Sequence, residues 1–566
     1  MESAELVVIG AGWHGLAMAR TYLECHANAK VVILDSQDTV GGVWAKERIF
    51  PTLRTNNLLG TYEFSDFPMD DTFGAKAGEH MTGPVVHGYF HRFAEQFDLY
   101  RHLRFRTKVA SVEHVEGGKW IVTALQKGES GEKKSQTILT DKLAVASGLT
   151  SQPLEQDYRG STDFDAPLFH VKDLPVHQDD VLRTAKRVAV VGGSKFACDA
   201  VYAFASAGVS VDWILRKSGH GPHWMSPPYV TRLKLRTEEL VTTRALSWFT
   251  PCVWGDADGF GTVRRFLHGT RIGGWMVDAF WRFFQNELET RNAYDKHRET
   301  AKLKPWTDLF WHGASISMLN YPTDFFEHLR QGTVKVHVDD IEMLSNKTVH
   351  LSSGEAIPAD AFVYSSGWVK KPPFKFLPEG IDSKLGLYGA PKDDADDAAA
   401  TRTADEEIFR RFPRLKDQPV RPSPSDERTP SPYRLYRAIA PPALIHERSI
   451  VFCGYMQTFM TPLMAQTQAL WATAYLDGGV RLPSSEEVHK ETMLHSQYCR
   501  WRCSSGRGGE FPDLVFDVVP YVDMLFNDMG LKSRRKRNIV AECFEPYGMA
   551  DYRGVVDEYR TRSAAR

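Results

Sequence analysis

The chain has 566 residues, 25% of them charged, with a formal net charge of −2, a length that calls for two or more domains. The near-neutral balance gives no electrostatic case for a nucleic-acid partner or an anionic membrane. Seven scattered cysteines form no CxxC pair and no zinc spacing, and no apolar run reaches a membrane span of roughly 18 residues. A cytoplasmic protein with no metal site, no transmembrane segment and no secretory leader is therefore expected.

The first element is the apolar run Leu6 to Ile9, which ends in Gly10-Ala11-Gly12-Trp13-His14-Gly15 and passes into LAMARTYL at helical spacing. This is strand, tight glycine turn, helix. Gly10 allows the turn, Gly12 lets backbone approach a pyrophosphate, and Gly15 packs helix on strand. A second strand, Val31 to Leu34, ends in Asp35, where a ribose-binding carboxylate belongs. GxGxxG alone is a weak signal, and a glycine-rich turn of some other α/β unit is the plainer alternative. The flanking strand and helix and the spaced acid favour a dinucleotide.

Gly41-Gly42-Val43-Trp44 follows, paired glycines before a bulky aromatic, which suit backbone passing close to a flat ligand. Residues 50–68 are polar and aromatic without a clean period and read as a loop with short strands. Residues 85–98 read as an amphipathic helix, 103–125 as a hairpin, and 141–148 as a strand ending in a small-residue turn.

A second nucleotide unit starts at the strand Val188 to Val191. Gly192-Gly193-Ser194-Lys195-Phe196-Ala197 is a glycine-type turn with Ser194 and Ala197 in the later glycine slots. Its second strand ends at Leu215 and is followed by Arg216-Lys217 instead of an acid. A cation there accommodates a 2′-phosphate, so NADPH is expected at this unit and FAD at the acid-bearing first one. The alternative is that Arg216 is a solvated surface charge.

Residues 218–320 hold seven of the chain's 14 Trp. GGWMVDAFWRFFQNEL has helical apolar spacing, so a helical insert with its own core is expected. The sharper alternative is that it also covers a substrate cavity. Residues 360–367 read as a strand returning to the first nucleotide domain. Residues 384–432 mix an acidic stretch with a Pro/Ser-rich loop and read as a surface excursion. TPLMAQTQALWATAYLDGG reads as a helix stopped by Gly478 and Gly479, and the tail beyond 483 as mostly helical. The basic run Lys532 to Arg537 reads as a solvated helix face in preference to a nuclear signal.

With both glycine turns in place, the chain resembles the class B flavoprotein monooxygenases, which comprise the flavin-containing and Baeyer–Villiger enzymes. The likeness covers Leu6 to about Asp477, and the tail looks like that of fungal biosynthetic relatives. Phe164-Asp-Ala166-Pro-Leu-Phe-His170-Val-Lys-Asp-Leu174 has the spacing of the family's linking motif, with Ala166 in place of Gly and Leu174 in place of an aromatic. The resemblance makes His170 a hinge residue. Asn56 precedes Phe64-Ser65-Asp66-Phe67-Pro68 at the spacing of the flavin-side Asn of flavin-containing monooxygenases. Baeyer–Villiger enzymes carry Asp there, preceded by Arg. Arg54-Thr55-Asn56 borrows from both, and the adjacent Asn57 leaves a shift of one residue open. By resemblance, Asn56 and Arg54 are the catalytic candidates, Tyr62 touches the flavin, and Val109 offers backbone to adenine.

What the resemblance implies is an FAD- and NADPH-dependent monooxygenase that inserts one oxygen atom of O2 into a small organic molecule through a C4a-(hydro)peroxyflavin. A secondary metabolite is the expected kind of substrate. Asn in place of Asp favours attack on a soft N or S centre, and Baeyer–Villiger oxygenation of a ketone or an uncoupled NADPH oxidase are the alternatives. A flavoprotein disulfide reductase would need a redox Cys pair, which the sequence lacks. The expected architecture is α/β: a discontinuous FAD-binding domain (1–175 and 346–482), an NADPH-binding domain (176–345) inserted in it with the helical insert, and a helical extension (483–566). Substrate choice and oligomeric state lie outside these motifs.

Overall fold

The computed structural model describes residues 1–565 except 129, 314, 391–395, 420–429 and 504–508. The elements that position the site are, in chain order, β1 (Glu2–Ile9), α1 (Trp13–Cys25), β2 (Val31–Leu34), β3 (Arg54–Leu58), β4 (Lys133–Val145), β5 (Leu168–His170), β6 (Arg187–Val191), α2 (Lys195–Ser206), β7 (Ser210–Leu215), α3 (Arg271–Asn292), β8 (Val334–Val338), β9 (Ala361–Tyr364), β10 (Ile450–Phe452) and α4 (Thr461–Leu476). Other elements are given by residue range.

Two sheets organise the molecule. In the first, β1 pairs in parallel with β2 (Ile9 opposite Leu34) and with β4 (Ile9 opposite Val145), and β10 joins the far side of β4 (Phe452 opposite Val145). Leu6–Ile9 and Val31–Leu34 are unbroken apolar runs because both faces of this sheet are covered, and all eight residues are buried. The N-terminal half of β4 pairs antiparallel with Lys119–Lys127, which pairs with Thr107–Val115. Helix α4 is buried from Pro462 to Leu476 and packs against α1, so it shows no polar face.

The second sheet has the order β8-β7-β6-β9-β5 and is parallel throughout. Strand order reverses between β1 and β4 in the first sheet and between β6 and β9 in the second, which opens a crevice at the carboxyl ends of each pair. Here the structure corrects an expectation. Residues 361–364 pair with β6, not with the first sheet, and β5 also lies in the second sheet. The second sheet therefore extends beyond 176–345 at both ends. The small-residue turn after residue 364 suits either sheet, and only pairing decides between them.

The aromatic insert differs too. It contains helices, α3 among them, but it has no core of its own. Trp254, Trp281 and Phe310 share one apolar cluster with α4 and with Tyr498, Phe516 and Tyr521 of the C-terminal extension. Arg244 of the insert is fully buried and pairs with Asp523, with Glu542 at 3.4 Å and with Asp258 at 3.5 Å. Arg264 grips Asp258 with two bonds of 2.8 Å. The extension thus closes the insert. Its basic run is not helical: Arg535 pairs with Glu558 and Lys536 with Asp551, both at 2.8 Å, while Lys532, Arg534 and Arg537 are exposed. The proposed excursion at 384–432 falls partly outside the described residues, and its described part contains a helix, Asp396–Arg411, that the sequence reading missed.

Candidate nucleotide and active site

The first glycine turn has the geometry its residues predict. Gly10 has φ +110°, and a Cβ there would lie 2.4 Å from the Ala146 carbonyl oxygen at the end of β4. A Cβ on Gly15 would lie 1.8 Å from the Gly10 oxygen, so helix and strand touch backbone to backbone. Gly12 is the N-cap of α1, which has no side-chain cap and no acid in its first turn. Its open N–H groups and positive dipole end form a place for an anion. The second glycine pair closes on the first: Gly41 N–H donates to the Ala11 oxygen at 2.9 Å, and the Gly42 Cα stands 3.5 Å from where a Gly12 Cβ would be. This cradle without side chains fits a dinucleotide pyrophosphate.

Asp35 sits at the end of β2, buried. Its Oδ2 accepts from Ala11 N–H at 2.6 Å and its Oδ1 from Gln37 N–H at 2.8 Å. Burial pushes its carboxyl up from the ordinary value, against the pull of those two donors. Val109 lies beside a β-bulge that ends at Ser111, and the same strand is tied to Asp35 through Thr107 N–H to the Asp35 oxygen at 2.8 Å. Val43 is exposed and Trp44 is buried. Tyr62 joins the two tryptophans of the cradle, accepting from Trp13 Nε1 and from Trp44 Nε1, each at 3.1 Å. Burial pushes the Tyr62 hydroxyl up to about 12, so it stays protonated.

Strand β3 brings the remaining candidates in. Its two-residue period puts Asn56 and Asn57 on opposite faces, Asn56 half-buried and Asn57 buried. The Asn57 amide Nδ2 is buried with no partner, and so is Nε2 of His80, whose Nδ1 lies 3.3 Å from the Asn57 oxygen. Two buried polar atoms without a hydrogen-bond partner thus lie close together here. Burial holds His80 down to about 4, helped by the Lys195 and Arg54 cations, so it is neutral at pH 7. Arg54 Nη1 donates to the His80 oxygen at 3.2 Å. The far end of β3 is pinned by Glu238 of the insert, whose Oε2 accepts from Leu58 N–H at 2.9 Å.

The second turn repeats the first with substitutions. Gly192 has φ +126°. Ser194 is the N-cap of α2, and its Oγ lies 2.9 Å from the Ser365 Oγ beyond β9, across the crevice. A Cβ on Gly193 would lie 2.4 Å from the Gly221 oxygen, so the segment after β7 crosses this turn. Ala197 is fully buried, and Arg216 is exposed just past β7. Lys195 turns inward. Its Nζ pairs with Asp199 and donates to Asn320 Oδ1 at 2.9 Å and to Tyr321 OH at 3.2 Å. Asn320 then donates its Nδ2 to the Arg54 oxygen at 3.0 Å and to the Thr55 oxygen at 3.1 Å. One amide thus links the second glycine turn to the strand that carries Asn56.

His170 is buried at the end of β5, accepts from Lys172 N–H at 3.1 Å, and packs edge-on to Trp368 at 5.0 Å. Asn320, His80 and Glu238 escape a sequence reading. Each is a single polar residue with no motif around it, and Glu238 and Asn320 lie 180 and 265 residues from their partners on β3.

The flavin-binding monooxygenase-like family profile matches residues 3–224. An FAD-dependent monooxygenase of Aspergillus sclerotiorum, resA, is 34% identical over 585 aligned residues that cover 99% of both chains. The FAD-dependent monooxygenase DEP4 of Fusarium langsethiae is 32% identical over 99% of this chain and 95% of its own. Among solved structures, a steroid monooxygenase bound to NADP superposes with a TM-score of 0.58 at 17% identity, over 94% of this chain and 99% of its own. An open form of cyclohexanone monooxygenase gives 0.55 at 16%, over 100% and 98%. These structures share the mixed α/β fold. No described helix is long and apolar enough to cross a membrane.

Proposed function

This chain belongs to the family of FAD-dependent monooxygenases, and on that footing we propose that it uses NADPH and O2 to place one oxygen atom on a small organic molecule, a secondary metabolite. In this reading the Gly10–Gly15 turn with Gly42 binds the FAD pyrophosphate, and Asp35 binds its ribose. Val43, Trp44, Tyr62 and the backbone at Val109 line the rest of that site. Gly192, Ser194, Ala197 and Arg216 bind NADPH. When bound, FAD accepts hydride from NADPH and activates O2, chemistry that belongs to the cofactors.

The protein's own residues position and shield. Tyr62 locks two indoles into a dry wall. Asn56 offers an amide that does not titrate near neutral pH, so it orients a ligand without supplying a proton. His80, held neutral, adds no charge beside it. Arg54 steadies the strand through the His80 backbone. The two sheets form the FAD and NADPH units, with His170 at the end of β5 in the second sheet and the helical extension sealing the insert.

The observation that carries this reading is the bridge from Lys195 through Asn320 to β3, which ties the second glycine turn to the polar strand that carries Asn56. The test is rapid mixing of NADPH-reduced protein with oxygenated buffer, without substrate. A long-lived species whose absorbance differs from both oxidised and reduced flavin supports it, and screening of amines, sulfides and ketones then fixes the reaction type. Direct return to oxidised flavin with stoichiometric peroxide, unchanged by any substrate screened, overturns it in favour of an oxidase.

A further inference from the structure

Helix α3 carries apolar side chains on two faces. Val277, Trp281 and Leu288 point into the core. Ile272, Trp275, Met276 and Phe283 point into water, 68, 66, 37 and 55% exposed. Their spacing of three, four and eleven residues from Ile272 sets them in one stripe. Phe266, exposed on the preceding helix Gly261–Gly269, widens it. Beyond Phe283 the same line runs through positions 287 and 291, where the hairpin tip at residues 231–234 is fastened. Thr231 N–H donates to Glu287 Oε1 and Arg291 Nη2 donates to the Thr231 oxygen, both at 2.8 Å. That tip lifts Leu233, 81% exposed, into solvent at the end of the stripe.

The charges around the stripe have one sign to spare. Arg271 and Arg282 are exposed along it and Arg232 and Lys234 flank Leu233, while the exposed Arg265 is matched by Asp256 at 3.2 Å. The helix's carboxylates are already matched: Asp278 pairs with Arg414, Glu287 with Arg291 and Glu289 with Lys304. Large exposed aromatic and aliphatic side chains edged by arginine suit the boundary between lipid headgroups and acyl chains. A second copy of the chain suits them less, because a twofold contact would set the same arginines against one another.

We propose that this face, the outer stripe of α3 with the 231–234 tip, docks on the surface of an anionic lipid bilayer. The chain's near-zero net charge does not oppose this, since the field at a membrane acts on the local patch within a Debye length. The opposite side of α3 (Phe280, Trp281 and Phe284) lines an apolar pocket together with Phe459 and Phe516. One helix therefore separates the docking face from an apolar chamber. The inference stands independently of the roles given to the nucleotide turns.

The test is co-sedimentation of the flavin-loaded protein with vesicles of phosphatidylcholine, with and without phosphatidylglycerol. The native protein is expected to pellet with the anionic vesicles and to be released by salt. Trp275→Glu with Phe283→Glu should lower the partition about tenfold or more on either vesicle, and Arg271→Glu with Arg282→Glu by a similar factor on the anionic vesicles only. Flavin content and melting temperature should stay unchanged, since these side chains lie outside the core. Absence of vesicle binding by the native protein overturns the proposal, and so does equal binding by native protein and variants. A native dimer that Trp275→Glu dissociates, without any vesicle binding, would assign the face to self-association instead.

Discussion

Lys195 and Asn320 meet at 2.9 Å, ammonium to amide oxygen, and the amide's other end holds the backbone of Arg54 and Thr55. β3 is therefore tied to the second glycine turn. Asn320→Ala removes two donors from buried carbonyl oxygens, a cost of about 1–3 kcal/mol. The melting temperature should fall by several degrees, and more of the NADPH consumed should end as peroxide. Asn320→Asp keeps the contact to Lys195 but cannot donate to β3, so it should uncouple as strongly while KM for NADPH stays near the native value. Tight coupling in both variants would remove Asn320 from any positioning role.

Gly12→Ala separates the fold from cofactor binding. Gly12 has φ −90°, and its Cβ would meet Gly42 Cα at 3.5 Å, an ordinary contact. The folded chain should tolerate it, whereas a pyrophosphate closing on the same backbone should not. The purified variant is expected to be nearly colourless with an apoprotein melting temperature close to native. Gly15→Ala, whose Cβ would fall inside the Gly10 carbonyl, should lower that temperature as well. Full flavin content in the Gly12 variant would place the pyrophosphate elsewhere.

Arg216→Ala tests the choice of NADPH. Arg216 is exposed at the end of β7, where it can meet a 2′-phosphate without first breaking a buried contact. Its loss should raise KM for NADPH about tenfold or more and leave KM for NADH nearly unchanged. Equal effects on the two coenzymes would make Arg216 a plain surface charge.

Acid should loosen the protein well above the usual carboxylate range. Burial holds His14, His80 and His268 each down to about 4. Below about pH 6.5 the unfolded chain takes up protons that the folded one refuses. Stability is thus complete above that value and is lost as the pH falls toward 4, about 1 kcal/mol for each buried imidazole by about pH 5.5. Urea titrations from about pH 7.5 down to 5 should show the midpoint falling steadily. His268, which lies 2.9 Å from the Trp248 oxygen, is the cleanest of the three, and His268→Gln should flatten part of the slope. A midpoint constant over that range would contradict the prediction.

What the sequence disclosed and what it hid divide along a physical line. Gly10, Gly15 and Gly192 are legible because backbone sterics at those points admit no other residue. Asp35 is legible because strand length fixes its distance from the turn. Asn320 carries no such mark, since its partners depend on how the chain returns after 265 residues. The pairing of β9 with β6 is hidden for a similar reason. A short apolar strand followed by small residues fits either sheet, and only its pairing with β6 places it in the second. The insert's aromatic residues announced burial but not their partners, which belong to the C-terminal extension.

That last arrangement has a consequence for how the chain is made. Arg244 and Asp523 are separated by 279 residues. At a synthesis rate of roughly 5–20 residues per second, the insert leaves the ribosome tens of seconds before the extension that closes it. Throughout that interval its tryptophans face water and its buried arginine lacks a principal counter-ion. A stop before Asp523 should yield an aggregate rather than a smaller working enzyme, because Arg244 would then lack that carboxylate.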